Sequence, residues 1–233
     1  MDFILETCLK NQKALITYAN VHAVNLAGKI PWFKNFMNQA DIVFCDGFGV
    51  KWAAEFLYGA KLYRHTPPDW FHILAKKCVD QGITFYFLGA KQGIAQKVAL
   101  QLRNEIPGLK IIGFHHGYIL SEENRKEQEY ILAEINRLRP NILVLGMGMP
   151  FQEQWAMENW DQLKVNIVFP AGALFDYLSG EIYRVPKWMT DHGLEWLGRL
   201  IIEPGRLWKR YLFGNLVFVI RVLQTKLTLR FKK

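Results

Sequence analysis

The sequence predicts an α/β fold of Rossmann-like type, a mostly parallel sheet flanked by helices, followed by a basic amphipathic helical C-terminal appendage. Three observations carry this expectation. Over residues 1–180 short apolar runs alternate with longer segments of helical periodicity, the residues that end those runs are rich in glycine, and after Gly180 the pattern changes to helices dense in Trp and Arg. With 233 residues, 51% of them hydrophobic, the chain is long enough to bury one sizeable core, which excludes a disordered protein.

The strands are expected at Ala14–Thr17, Ile42–Phe44, Thr84–Leu88, Lys110–Gly113, Asn141–Leu145 and Asn166–Phe169, continuous apolar runs of the kind buried on both faces of a parallel sheet. Between them, Gly93 to Arg103 and Glu122 to Leu138 repeat apolar residues at helical spacing among charges. The appendage, residues 181–233, reads as helical with a break at Glu203-Pro204-Gly205.

Charge divides the chain at the same place. Of the net +8, residues 181–233 carry +7, with eleven Lys and Arg against four acids, and residues 1–180 carry +1. A nearly neutral body with a basic, aromatic-rich tail points to a polyanionic surface as the tail's partner, anionic lipid or nucleic acid. In the tail, Trp188, Trp196, Trp208 and Tyr211 alternate with Arg199, Arg206, Lys209 and Arg210. That composition suits a helix lying at a lipid headgroup boundary, or ordinary helix packing with a solvated basic face.

The N-terminus carries Asp2 and Glu6 where a secretory signal would be positive, and the longest apolar stretch, Leu216 to Ile220, stops at Arg221, far short of the roughly 20 residues of a membrane span. The expectation is a chain with no signal peptide and no span. Cys8, Cys45 and Cys78 are odd in number, lack CxxC or CxxH spacing and sit beside apolar residues, as buried thiols in a reducing compartment do. No DxD, HxxxH or HExxH spacing occurs, and the adjacent His115 and His116 are expected to diverge, so no dedicated metal site is expected.

In open α/β sheets ligands bind beyond the carboxyl ends of the strands. Asp46 stands there, against apolar neighbours that would raise its pKa and suit it to general-base work; equally, it is placed to cap a helix beginning near Val50. Gly89-Ala90-Lys91-Gln92-Gly93 is either a phosphate-cradling turn or a tight loop, for it lacks GxGxxG spacing and the P-loop Lys-Ser/Thr pair. In Gly146-Met147-Gly148-Met149-Pro150, the glycines and the proline set a sharp turn, after which Gln152 is placed to hydrogen-bond a sugar or base and Glu153 to complement a helix dipole. Without a metal, a departing diphosphate would need arginines, which the appendage supplies.

These stretches together resemble the WecG/TagA/CpsF family, the N-acetylmannosaminyltransferase type of glycosyltransferase family 26. The resemblance runs from Thr17 to about Leu223. It is carried by Thr17 and Asn20, Ala40-Asp41 with Asp46-Gly47, Arg64 and Thr66, Phe87-Leu88-Gly89 with Gly93, Gly117-Tyr118, Gly146 to Pro150 with Gln152-Glu153, and Gly172-Ala173 with Phe175-Asp176. Its strongest mark is the run from Arg184-Val185-Pro186-Lys187-Trp188 through Gly193-Leu194-Glu195-Trp196-Leu197 and Arg199 to Glu203-Pro204 and Arg206.

The resemblance implies an inverting, metal-independent transfer from a UDP-sugar to a polyprenyl-diphosphate-linked glycolipid in bacterial cell-surface polysaccharide synthesis, with Asp46 deprotonating the acceptor hydroxyl. It implies substrate contacts for Thr17, Asn20, Arg64, Thr66, Gly89, Gly148, Gln152 and Gly172, and diphosphate contacts for Arg199, Arg206 and Arg210. No cofactor is implied; UDP-sugar is a co-substrate. The implied place is the cytoplasmic face of the bacterial inner membrane, held peripherally by the appendage, with a homo-oligomer among the expected states and no nucleic acid as partner. Two departures stand out: Thr17-Tyr18-Ala19-Asn20 is one residue longer than the usual T-x-N, and Pro67-Pro68-Asp69 follows Thr66 where a glycine and an acid are common. Members using other sugars, in teichoic acid, capsule and exopolysaccharide synthesis, share the frame. The alternative is a non-catalytic nucleotide- or nucleic-acid-binding protein; the Trp and Leu content of the tail and the neutral body weigh against it.

Overall fold

The computed structural model describes residues 1–231, so Lys232 and Lys233, counted in the basic tail, lie outside the described residues. Six strands form one sheet: β1 (Ala14–Ala19), β2 (Ile42–Cys45), β3 (Thr84–Gly89), β4 (Lys110–His115), β5 (Ile142–Gly146) and β6 (Ile167–Pro170), in the order β2-β1-β6-β5-β3-β4. The sheet is parallel, with Phe85 beside Ile142, Ile142 beside Ile167 and Ala14 beside Ile167 in register. The central runs became strands covered on both faces, as the full burial of β5 and β6 shows, while β2 and β4 at the sheet edges stay partly exposed.

The helices are α1 (Asp2–Leu9), α2 (Val21–Ala27), α3 (Pro31–Gln39), α4 (Phe48–Tyr58), α5 (Pro67–Asp80), α6 (Ile94–Glu105), α7 (Arg125–Leu138), α8 (Phe151–Asn159) and α9 (Leu174–Leu178). In the tail come α10 (Lys187–Asp191), α11 (Glu195–Ile202), α12 (Pro204–Trp208), a π-helical turn at Lys209–Phe213, and α13 (Gly214–Phe231). Pro67-Pro68, one of the departures noted above, opens α5 with Asp69 in its first turn, a place where proline's fixed φ and missing N–H cost nothing.

The chain forms two compact units, one of Met1–Thr17, Asn35–Ile42 and Pro67–Ile182, the other of Tyr18–Lys34, Val43–Thr66 and Tyr183–Lys233. The first holds the main core, in which Tyr86, Leu143, Leu145, Trp155, Ile131 and Ile135 are wholly buried. Here Gly89 and Gly146 lie side by side at the ends of β3 and β5, so close that a Cβ on Gly89 would sit 2.5 Å from the Gly146 backbone. Glycine is required there by the approach of two strands.

The second unit differs from the division of the chain at residue 180 drawn from the sequence, since it joins the tail to two N-terminal segments. The cause is packing of α13 on α2 and α4. Phe218 and Val222 are buried with Ala53, Val21 and Leu57. The Asn25 amide donates to the Gly214 carbonyl at 2.7 Å, and Lys226 donates to the Phe56 carbonyl at 2.6 Å. Arg221 reaches the carbonyls of Asn25 and Gly28 at 3.4 and 3.5 Å.

The continuous helix Pro204–Phe231 corrects the expectation that no segment is long and apolar enough for a span. It runs 28 residues, and its most apolar 18-residue window has a mean hydropathy of 1.4. Counting uninterrupted apolar residues stopped at Arg221, whereas a helix average tolerates one or two charges. Glu203-Pro204 ends α11 and starts this helix.

Candidate active site

Asp46 sits immediately after β2, where its backbone N–H donates to the Ala19 carbonyl at 2.9 Å. Gly47, at φ +105°, is the N-cap of α4 and makes no side-chain cap. The capping role open to Asp46 is therefore not the one its side chain takes. Its Oδ1 accepts from the Thr66 hydroxyl at 3.1 Å, and its Oδ2 accepts from the Asn20 amide at 3.5 Å. Thr66 in turn accepts from Arg64 Nη1 at 2.6 Å, and that same nitrogen lies 3.2 Å from Glu195 Oε2. Asn20 has a second task, accepting from Ala23 N at 3.0 Å as the cap of α2.

This network opens into a cavity of about 380 Å³ formed wholly by residues of the second unit. Asp46, Asn20, Arg64, Arg199 and Arg210 line it, with Glu195, His22 and Asn215, the aromatic rings of Phe48, Trp52, Trp196 and Tyr211, and the backbone of Gly47 and Gly193. A cavity of that size, mostly apolar with a few convergent charges, suits a small-molecule ligand. Glu195 and Arg199 are one turn apart on α11 and so share a face; Arg210 and Tyr211 enter from the π-helical turn, a device common at functional sites.

The electrostatics are uneven. Burial pushes Asp46 up to about 6, the Glu195 carboxylate adds to the rise, and the hydrogen bonds from Thr66 and Asn20 and the charge of Arg64 oppose it. Asp46 keeps some exposure to the cavity, yet enough protein surrounds the carboxylate for desolvation to dominate. His22 is lowered to about 4 by burial and then by Arg210, so it is neutral near pH 7. Arg210 is lowered chiefly by burial, and its Nε is buried with no hydrogen-bond partner among the described residues.

The other residues singled out from sequence lie elsewhere. Arg206 is exposed and pairs with Glu203 at 2.6 Å, outside the lining. Thr17, Gly89, Gly148, Gln152 and Gly172 belong to the first unit. The Thr17 hydroxyl is fully buried with no partner among the described residues. Gln152, placed by the sequence to meet a sugar or base, is wholly buried: its Oε1 accepts from Gly148 N at 3.3 Å and Gly172 N at 3.0 Å, and its Nε2 donates to Glu153 at 2.7 Å. It ties two glycine turns together. Glu153, read as a dipole partner, is buried beside it.

His115 and His116 do not diverge. β4 ends at His115, so His116 escapes the strand's alternation, and both rings face Glu127 in the first turn of α7.

A model of the Glycosyl transferase WecG/TagA/CpsF family matches residues 1–232. The chain belongs to this family. Among curated relatives, it is 28% identical over 200 residues to the N-acetylglucosaminyldiphosphoundecaprenol N-acetyl-beta-D-mannosaminyltransferase of Bacillus subtilis (strain 168), covering 85% of this chain and 75% of that one. The enzyme of the same name from Staphylococcus aureus (strain NCTC 8325 / PS 47) is 25% identical over 229 residues, 95% of this chain and 85% of the relative. The family's activity directs attention to the one cavity described here that combines a carboxylate of raised pKa with arginines. From sequence, His22 was missed and Trp196, Tyr211 and Glu195 were given no place in the site, although the spacing of Glu195 and Arg199 was a usable signal.

Proposed function

We propose that the chain transfers a sugar from a UDP-sugar to a polyprenyl-diphosphate-linked glycolipid, with inversion and with Asp46 as the base. The observation that carries this reading is the Asp46 carboxylate, held at a pKa of about 6 at the wall of a cavity that also presents Arg64, Arg199 and Arg210. Such a carboxylate is ionised near pH 7 yet more basic than an ordinary aspartate, which is what removal of a hydroxyl proton during attack requires. Thr66 and Asn20 fix its two oxygens.

The acceptor hydroxyl attacks the anomeric carbon from the face opposite UDP. A bond forms between acceptor oxygen and carbon, the bond to the diphosphate breaks, and the proton passes to Asp46. Negative charge then grows on the diphosphate, and Arg199 and Arg210 stand ready to stabilise it in place of a metal ion. The relatives named above act on N-acetylglucosaminyldiphosphoundecaprenol, which favours the same acceptor and an N-acetylmannosamine donor here. Teichoic acid synthesis is the pathway class closest to that chemistry.

A lipid-linked acceptor calls for a membrane surface, and α13 offers one a face. Leu216, Ile220, Leu223 and Leu227 fall on one side of the helix and are all exposed, while Phe218, Arg221 and Val222 turn to α2 and α4. An exposed stripe of this kind seeks an apolar partner. The opposite face is committed to packing, so the reading is peripheral attachment at the cytoplasmic leaflet, where the donor is available.

The test is a panel of UDP-sugars incubated with synthetic polyprenyl-diphosphate-GlcNAc, with and without chelator, followed by mass spectrometry of the lipid. A single N-acetylhexosamine mass gain that survives chelation and vanishes in D46N is expected. No gain with any donor and folded protein rejects the reading.

A further inference from the structure

The first unit carries a cluster that the transfer reaction does not use. His115 closes the edge strand β4, His116 follows it, and Glu127 stands in the first turn of α7. His116 Nε2 lies 3.3 Å and His115 Nε2 3.7 Å from the same Glu127 oxygen, and one ligating atom from each of the three side chains falls within 4.8 Å of the others. All three side chains are partly buried, at 22%, 22% and 33% exposure, so none swings freely in solvent.

We propose that His115, His116 and Glu127 bind a divalent transition-metal ion of the zinc class, with a fourth position open to water or an anionic ligand. Spacing is the first argument. A tetrahedral ion with ligands at about 2.0–2.1 Å sets its ligand atoms about 3.4 Å apart, and the cluster already holds its nitrogens near that distance from the carboxylate. Little movement is needed to admit an ion. The mixture of two imidazoles and one carboxylate suits zinc and its neighbours rather than calcium or magnesium, which prefer oxygen alone.

The second argument is the tautomer of His115. Its Nδ1 lies 3.1 Å from the His116 carbonyl oxygen, and a carbonyl only accepts, so Nδ1 carries the proton. With Nδ1 so held, Nε2 is the ring nitrogen left to face the Glu127 carboxylate. Backbone-held Nδ1–H with Nε2 free is also the usual orientation of a metal-bound histidine. Glu127 as a first-turn acid is already favourable to the α7 dipole, but that role does not explain two imidazoles turned onto it.

The inference does not rest on the proposed transfer, and its readout is not activity. The full chain, stripped with chelator and dialysed, is titrated with Co²⁺ while visible d–d absorption is recorded, then with Zn²⁺ in competition. One equivalent of Co²⁺ is expected to produce a nitrogen/oxygen spectrum without the sulfur charge-transfer bands that the three cysteines would give, and Zn²⁺ is expected to bleach it. H116Q and E127Q should each weaken binding at least about tenfold. H72Q, which alters the exposed His72–Glu105 pair, should leave it unchanged. E127Q keeps the side-chain shape, so it remains informative if H116Q folds poorly. Absence of a saturable one-equivalent signal in the native chain, or equal loss in H72Q, would mean that the cluster is an imidazole–carboxylate ion pair only.

Discussion

Glu195 and Asp46 are two carboxylates on one cavity, and the first helps to hold the second in a more basic state. Glu195 is tethered by Arg64, whose charge acts on Asp46 in the opposite sense. On the proposed reading, Glu195 and Arg64 set the basicity of Asp46 from opposite sides.

Removing the charge of Glu195 should therefore shift the pH dependence of the reaction. With Asp46 as the proposed base, activity needs its ionised form, so the rate is expected to rise with pH through its pKa of about 6. In E195Q that midpoint moves to lower pH, because a neighbouring negative charge has gone. In R64Q it moves higher. A pH profile of kcat/KM in both variants checks this; midpoints that move together in one direction would contradict it.

The three arginines assigned to the diphosphate separate into two kinds. Arg199 and Arg210 line the cavity, whereas Arg206 is exposed and paired with Glu203. Replacing either lining arginine by glutamine is expected to lower kcat by about 10²–10³-fold, the usual cost of removing a donor to developing charge. R206Q should stay within a few-fold of the native rate, since an exposed ion pair contributes at most about 1 kcal/mol. Steady-state kinetics with a fixed lipid acceptor distinguishes them.

Much of the fold is legible in the sequence. The six strands announce themselves as apolar runs because a two-sided parallel sheet leaves no polar face, and Asp46 stands out because it follows directly on a strand end, where ligands bind in such sheets. The strand order was not legible, nor was the union of the tail with α2 and α4, because both rest on contacts between residues far apart in sequence, such as Asn25 with Gly214. Gln152 shows a different limit. A polar residue after a glycine turn gives no sign in sequence that its side chain closes the backbone N–H groups of two glycine turns, as Gln152 does at Gly148 and Gly172. His115 and His116 show a third, since adjacency implies divergence only while the strand continues.

The apolar face of α13 predicts a loss of membrane binding without a loss of fold. Leu216 and Leu223 are 58% and 47% exposed, two turns apart on the outward stripe, and neither belongs to the buried cluster with α4, so glutamate at both leaves that packing in place. L216E/L223E should sediment with anionic vesicles at least about tenfold less than the native chain, with an unchanged melting temperature. Its activity on a short, water-soluble acceptor analogue should be retained. Equal vesicle binding by both proteins would move the contact to another surface.

Asp46 should also cost the protein stability, in a way that depends on pH. Its folded pKa of about 6 lies above the ordinary value of 3.8, so burial favours the protonated form. The stability associated with that protonated state is fully present below pH 3.8 and is lost as pH rises through about 6. At pH 8 the native chain therefore carries a desolvated charge that D46N does not. The difference is bounded by the pKa shift at about 3 kcal/mol, less whatever the Asn side chain loses at Thr66. D46N is expected to melt higher than the native chain at pH 8 and at nearly the same temperature at pH 4. Thermal unfolding at the two pH values checks this, and a variant less stable at pH 8 would show that the hydrogen bonds from Thr66 and Asn20 outweigh the burial of the charge.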